Sequence, residues 1–185
     1  EEIERIFLHQ IRELVSQYLE PAGFYETPGN TYEEAYNRII FLKDIIENKG
    51  GHRIFYLNGK PIEREQDLQI MFRITWYATP SDVTTEANDG RGPADFKISR
   101  GAADKTIVEF KLAKNTHLRR NLEKQCTIYE AASDTTQPSI KAIMYFDEDQ
   151  LERVRKRLKD LKLEDDKNIV LIDACDYNKP SGSRA

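Results

Sequence analysis

The sequence predicts a mixed α/β domain built around a β-hairpin, with helices on both sides of a sheet. In residues 108–112 an apolar residue at every second position alternates with Glu109 and Lys111, the pattern of a strand. Residues 140–146 are almost continuously apolar, as in a strand buried on both faces. Elsewhere, apolar residues recur three or four positions apart, which predicts amphipathic helices around this sheet.

Composition is that of one globular domain. The 185 residues are 39% hydrophobic and 32% charged, enough for a sizeable core. Neither a bilayer-length apolar run nor a secretory signal is visible, and the two cysteines lack zinc-ligand spacing. We therefore expect a cytoplasmic protein without a membrane partner. The chain begins without Met, as expected of a domain cut from a longer protein. Its net charge of −4 argues against a nonspecific nucleic-acid coat.

Residues 1–60 are predicted to form an N-terminal helical lobe that packs on the core or contacts a partner or neighbouring domain. An apolar stripe indicates a first helix at about residues 3–19. A second helix is expected at about residues 31–48, where Thr31 followed by Glu34 suggests a capping box.

The chain then predicts a short strand, a turn and a helix. Residues 52–57 are expected to be the strand, and Asn58-Gly59 is a turn signal. Pro61 suits the first turn of a helix. The apolar stripe that follows predicts that this helix covers about residues 62–77.

The sheet and its remaining helices are predicted over the rest of residues 61–177, and residues 178–185 are expected to be a mobile tail. The predicted elements are a strand at 82–87, the hairpin with its turn at 99–105, a helix at 118–133, a strand at 140–146, a helix at 148–161 and a strand at 169–172.

Two carboxylates and one lysine mark the hairpin. Asp95 lies in Pro93-Ala94-Asp95, and 14 residues later (109 − 95 = 14) comes Glu109-Phe110-Lys111. If the hairpin places Asp95 beside the face that carries Glu109 and Lys111, the three side chains converge. Two carboxylates can hold a hard divalent cation, and a nearby lysine can act on a water molecule or a phosphate.

These residues resemble the PD-(D/E)XK nuclease superfamily, over roughly residues 61–146. The resemblance implies the restriction-endonuclease-like αβββαβ core and a Mg²⁺- or Mn²⁺-dependent endonuclease, similar to prokaryotic nucleases of restriction and antiviral defence. In this interpretation Asp95 and Glu109 ligate the metal, and Lys111 positions or helps to deprotonate the attacking water. The expected substrate is nucleic acid, with DNA favoured over RNA.

The resemblance extends to two helices. Gln125 and Tyr129 match a Gln-x-x-x-Tyr pattern, which assigns Gln125 to the site with Tyr129 in support; a purely structural glutamine is the other interpretation. Related nucleases often take a glutamate from the helix before the hairpin, and Glu65 fits that role as a third metal ligand. Glu63 and Asp67 are less favoured choices. All three acids would equally suit the first turn of a helix.

Basic residues cluster in sequence around the predicted site. They either follow a phosphate backbone or form an ordinary solvated helix face. The candidates for nucleic-acid binding are Arg91, Lys114, Arg119, Arg120 and Lys124.

Other functions stay open at this point. A domain of the same fold could bind nucleic acid or act as a scaffold without cleaving, and RNA could be the target. A homodimer and a fusion to a regulatory domain are both compatible with the sequence.

Overall fold

A computed structural model describes residues 2–14, 16–17, 29–88, 93–122 and 137–179. The helices are α1 (Glu2–Leu14), α2 (Thr31–Asn48), α3 (Glu65–Ile74) and α4 (Glu148–Asp160), with a 3₁₀ helix at Gly51–Phe55. The strands are β1 (Tyr56–Leu57), β2 (Lys60–Pro61), β3 (Asp82–Asn88), β4 (Pro93–Arg100), β5 (Asp104–Leu112), β6 (Ile140–Tyr145) and β7 (Ile169–Asp173). Residues 118–122 are also helical.

The centre of the protein is a mixed sheet of five strands in the order β3-β4-β5-β6-β7. The first three strands are antiparallel neighbours, whereas β5, β6 and β7 run parallel. The predicted hairpin is confirmed as β4 and β5, joined by a turn at residues 101–103. The mixed α/β architecture is confirmed as well, because helices flank this sheet.

One face of the sheet packs against α2 and α3. Phe72 of α3 is fully buried, and its ring contacts those of Phe96 on β4 and Phe110 on β5, with centroids 5.1 and 4.8 Å apart. Helix α2 contributes Ile39 and Ile46 to the same cluster. A boundary at residue 60 therefore does not divide the hydrophobic core.

The opposite face carries a second apolar cluster. Val154 and Leu158 of α4 pack there with Ile143 of β6 and with Leu118 and Leu122 of the helical residues 118–122. Helix α4 begins as predicted: Asp147 is its N-cap, and the carboxylate accepts a hydrogen bond from the amide of Gln150.

The predicted capping box at Thr31 is wrong. The N-cap of α2 is Asn30, whose side chain accepts from the amide of Glu33 at 2.9 Å. Thr31 is the first helical residue, and its hydroxyl donates to Asp104 at 2.6 Å. Glu34 is buried and ion-paired with arginines instead of returning to the cap. Tertiary contacts with distant residues have replaced the local motif.

Two further element boundaries differ from the prediction, and the turn between them agrees with it. Residues 51–55 form a 3₁₀ helix, and only 56–57 are extended. The turn at Asn58-Gly59 is confirmed: both residues have positive φ (53° and 73°), as a type I′ hairpin requires. Pro61 lies in β2, so it does not open α3, which begins at Glu65.

Helix α1 is amphipathic, but its described apolar side chains are exposed. These side chains are Ile6, Phe7, Leu8, Ile11 and Leu14. Within the described part of the chain, no helix combines the length and apolar character needed to span a bilayer.

Candidate functional site

The candidate site forms where β4 and β5 separate. Their register ends at the pair Phe96 and Val108, although both strands continue. The amide of Ala113 donates to Met144 on the β6 side. Because amide direction alternates along a strand, the N–H groups of Phe110 and Leu112 point to the opposite side, towards β4. The β4–β5 pairing has already ended there, so the backbone of β4 does not accept hydrogen bonds from these two groups.

Two carboxylates satisfy these free amides. Asp95 Oδ2 accepts from the N–H of Phe110 at 2.6 Å, and Glu65 Oε1 accepts from the N–H of Leu112 at 3.2 Å. A buried amide without a partner would be costly, so the opening between the strands favours a side-chain acceptor at each position. The backbone thus fixes Asp95 and Glu65 beside the end of β5.

Lys111 lies among three carboxylates. Its Nζ is 3.4 Å from Asp95 Oδ2, 3.6 Å from Glu109 Oε2 and 3.7 Å from Glu65 Oε2. The Lys111 side chain is 11% exposed and that of Glu109 only 3%. The structure therefore brings together the four residues that the sequence singled out around the hairpin.

Burial and charge shift the pKa values of this cluster. Burial raises the pKa of Asp95, and the nearby Glu65 carboxylate adds to the rise against the opposing effect of Lys111. Burial alone would lower the pKa of Lys111, but Asp95, Glu109 and Glu65 outweigh it and raise that pKa. Three carboxylates thus lie around the one ammonium of Lys111, and Lys141 of β6 is the register partner of Glu109.

Neither alternative to Glu65 is in contact with Lys111 among the described ion pairs. Asp67 pairs with Arg64 at 3.2 Å, and Glu63 is exposed. Glu65 is indeed in the first turn of α3, where an acid suits the helix dipole. Its contacts with the Leu112 amide and with Lys111 go beyond that role.

Lys141 is a site neighbour that sequence reasoning missed. On β6 it is the register partner of Glu109, so the two side chains leave the same face of the sheet. Lys141 is only 4% exposed. A buried ammonium requires an anionic or strongly polar environment. The available signal was a lysine within the apolar run 140–146.

Asp95 and Glu65 line an open cleft of about 680 Å³. The other lining residues are predominantly polar and come from α3 and the residues before it, from β4, and from the end of β5 and the segment after it: Glu63, Arg64, Gln66, Gln69, Ala94, Leu112, Lys114, Asn115 and Thr116. Solvent and small solutes can therefore reach the two carboxylates from one side.

The predicted basic residues are only partly described. Lys114 lines the cleft and donates to the carbonyl of Ile62 at 2.9 Å. Arg119 and Arg120 are exposed on the helical residues 118–122. The remaining predicted residues of the site and its surroundings lie outside the described residues: Arg91, Lys124, Gln125 and Tyr129.

The donor chemistry of the cluster fits Mg²⁺ or Mn²⁺, which prefer carboxylate oxygen. The described residues nevertheless contain no group of three or more His, Cys, Asp or Glu side chains already placed to share a metal ion. Instead, the ammonium of Lys111 lies within 3.7 Å of all three acids. A bound cation would have to displace that ammonium and draw the carboxylates inwards. Metal binding stays a prediction.

Comparison with known families places the chain in one of them. Residues 31–148 match a family described as Domain of unknown function (DUF8371), and because the match covers more than half of the sequence, the chain belongs to that family. The matched segment runs from the start of α2 to the first residue of α4 and includes the whole candidate site. Neither the curated proteins nor the solved structures give a match.

Proposed function

We propose that this protein is a divalent-metal-dependent nuclease that hydrolyses phosphodiester bonds in nucleic acid, with DNA as the favoured substrate. The observation that carries the proposal is a buried lysine in contact with three carboxylates at the edge of an accessible cleft. A simple structural ion pair needs one acid for one base, whereas three acids converge on Lys111.

Each residue of the cluster has a role in the proposal. Asp95, Glu109 and Glu65 supply oxygen ligands for Mg²⁺ or Mn²⁺, which when bound would polarise the phosphate and stabilise the leaving oxygen. Lys111 is the donor that orients the attacking water and offsets charge on the phosphate. Lys114 is at the cleft, where its ammonium can contact a neighbouring phosphate.

The topology supports a restriction-endonuclease-like core as the finer description of the fold. From α3 onwards the chain forms a helix, three antiparallel strands, a segment whose described residues 118–122 are helical, and the parallel strand β6. That order agrees with the core implied by the sequence resemblance. A cytoplasmic role in restriction or antiviral defence rests on the resemblance alone.

A cleavage assay tests the proposal. Wild type and Lys111→Met are incubated with supercoiled plasmid, single-stranded DNA and RNA, each with Mg²⁺, Mn²⁺ or EDTA. We expect metal-dependent cleavage by the wild type and a loss of at least about 100-fold in Lys111→Met, the scale of removing one charge-stabilising donor. Arg53→Met, an exposed basic residue outside the site, is the control and should retain activity.

The outcome also separates the alternatives. Cleavage restricted to RNA would make this an RNA-directed nuclease with the same site. Metal-independent cleavage, or equal activity of Lys111→Met and wild type, would contradict the proposed chemistry. Binding to nucleic acid without cleavage on any substrate would favour the non-cleaving binding or scaffolding domain.

A further inference from the structure

We infer that Asn115 is a positioning residue that fixes the Glu65 carboxylate in the candidate site. This inference rests on the proposed function, because it concerns the metal-ligand role of Glu65. Asn115 follows β5 by three residues and lines the same cleft as Glu65. Neither the predicted nuclease motif nor the helix pattern included it.

The hydrogen bonds of Asn115 determine which way its amide faces. Asn115 Oδ1 accepts from the backbone N–H of His117 at 2.8 Å, an Asx turn before the helical residues 118–122. Since the oxygen is held by an N–H donor, the amide nitrogen must face the other way. It donates to Glu65 Oε1 at 2.8 Å.

The backbone of Asn115 is held at both of its polar groups. Its N–H donates to the carbonyl of Leu112 at 2.9 Å, and its own carbonyl accepts from the N–H of Leu118 at 3.1 Å. The side chain that reaches Glu65 therefore belongs to a turn whose backbone is hydrogen-bonded to the end of β5 and to the first of the helical residues 118–122. A donor on such a support can orient its partner.

The two oxygens of Glu65 consequently have different surroundings. Oε1 receives the amide of Leu112 and the side chain of Asn115, whereas Oε2 is directed to Lys111 Nζ at 3.7 Å. Without Asn115, Glu65 would keep only the backbone bond of 3.2 Å at Oε1 and the ion pair with Lys111 at Oε2, although its side chain has three rotatable bonds. Glu65 would then lose the orientation that presents Oε2 to the centre of the cluster.

A double-mutant cycle on Mn²⁺ affinity tests this role by calorimetry. The proteins are wild type, Asn115→Ala, Glu65→Ala and the double variant. We expect Asn115→Ala to weaken Mn²⁺ binding about 10-fold, the lower end of the effect of losing a partner that orients a metal ligand. In the Glu65→Ala background the same substitution should change nothing, because the residue through which Asn115 acts is gone.

A second variant distinguishes a loss of Glu65 positioning from a general folding defect. Asn115→Ser keeps a side-chain oxygen for the His117 amide but is too short to reach Glu65 as the asparagine does. It should retain the wild-type melting temperature in EDTA and still lose Mn²⁺ affinity. Asn48→Ala is the control, since Asn48 also donates to a carboxylate, that of Asp44 at 2.8 Å, outside the site.

The possible failures are distinguishable. If wild type binds Mn²⁺ but Asn115→Ala and Asn115→Ser bind it equally well, Asn115 has no positioning role. Equal losses in the wild-type and Glu65→Ala backgrounds would show a general structural effect, which also overturns the inference. Failure of the wild type to bind Mn²⁺ would overturn the proposed function together with it.

Discussion

Lys111 and the acids around it show how far single residues could be predicted. Strand alternation correctly placed Glu109 and Lys111 on one face, and the resemblance to related nucleases picked out Glu65 in the helix before the hairpin. Lys141 escaped prediction because strand register, which makes it the neighbour of Glu109, is not encoded in any local pattern. Asn115 was not predicted either, because its partner Glu65 is 50 residues away in the sequence.

The burial of Asp95 predicts that this carboxylate limits stability when metal is absent. Burial raises the pKa of Asp95, so its ionised form is disfavoured in the folded protein, and this cost appears as pH rises above 3.8, the ordinary pKa of an aspartate side chain. In EDTA at pH 7, Asp95→Asn should therefore melt at a higher temperature than wild type.

The gain should shrink as pH falls towards 3.8, where the wild-type carboxyl becomes protonated as well. Differential scanning calorimetry from pH 7 to pH 4 measures both melting temperatures. Asp82→Asn, an exposed acid on β3, is the control and should show no such gain. A lower melting temperature for Asp95→Asn at pH 7 would contradict the electrostatic argument.

At the scale of elements, a buried ion network joins α2, β4 and the segment after α3. Glu34 Oε1 accepts from Arg38 of its own helix at 2.6 Å, and Oε2 pairs with Arg100 of β4. Ser81 and Thr79 donate to the same carboxylate at 2.6 and 2.7 Å. A local capping motif could not predict this arrangement, because Arg100 is 66 residues from Glu34.

This network predicts a loss of stability in acid. Burial raises the pKa of Glu34, but hydrogen bonds from Ser81, Thr79 and the two arginines lower it from 4.5 to about 2. A depressed pKa stabilises the fold above pH 4.5, and that contribution disappears as pH falls towards 2. The shift corresponds to about 3 kcal/mol in the free energy of unfolding.

Glu34→Gln removes the ionised group and tests this account. Urea unfolding at pH 7 should show a protein less stable than wild type by about 2–3 kcal/mol. The difference should narrow below pH 4.5 and approach zero near pH 2. Glu33→Gln, exposed on the same turn, should be almost neutral. A pH-independent difference for Glu34→Gln would refute the linkage.

At the scale of the whole molecule, the geometry of the sheet determines where the candidate site lies. The separation of β4 and β5 frees the amides that hold Asp95 and Glu65, and the cleft opens beside them. The order of strands and helices followed from hydrophobic periodicity. Their packing did not: residues 31–48 were assigned to a helical lobe that either packs on the core or contacts a partner or neighbouring domain, and in the structure α2 shares the core of the sheet. Sequence periodicity identifies a buried face but not what covers it.

The family match covers α2 together with strands of the sheet on which it packs. It begins at Thr31, the first residue of α2, and so includes a helix that the predicted nuclease core left out. Helix α1 lies before the match, and its described apolar side chains are exposed. All four residues of the cluster come after residue 60, and α2 contributes Ile39 and Ile46 to the core beneath the sheet.

The measurement that tests the central claim most directly is a calorimetric titration with Mn²⁺ of wild type, Asp95→Ala and Lys111→Met. Wild type should bind Mn²⁺, and Asp95→Ala should show little or no binding because an oxygen ligand is lost. Lys111→Met should bind at least as tightly as wild type, since the ammonium that lies among the carboxylates is gone. Equal affinity of Asp95→Ala and wild type, or weaker binding by Lys111→Met, would contradict a metal site at these carboxylates.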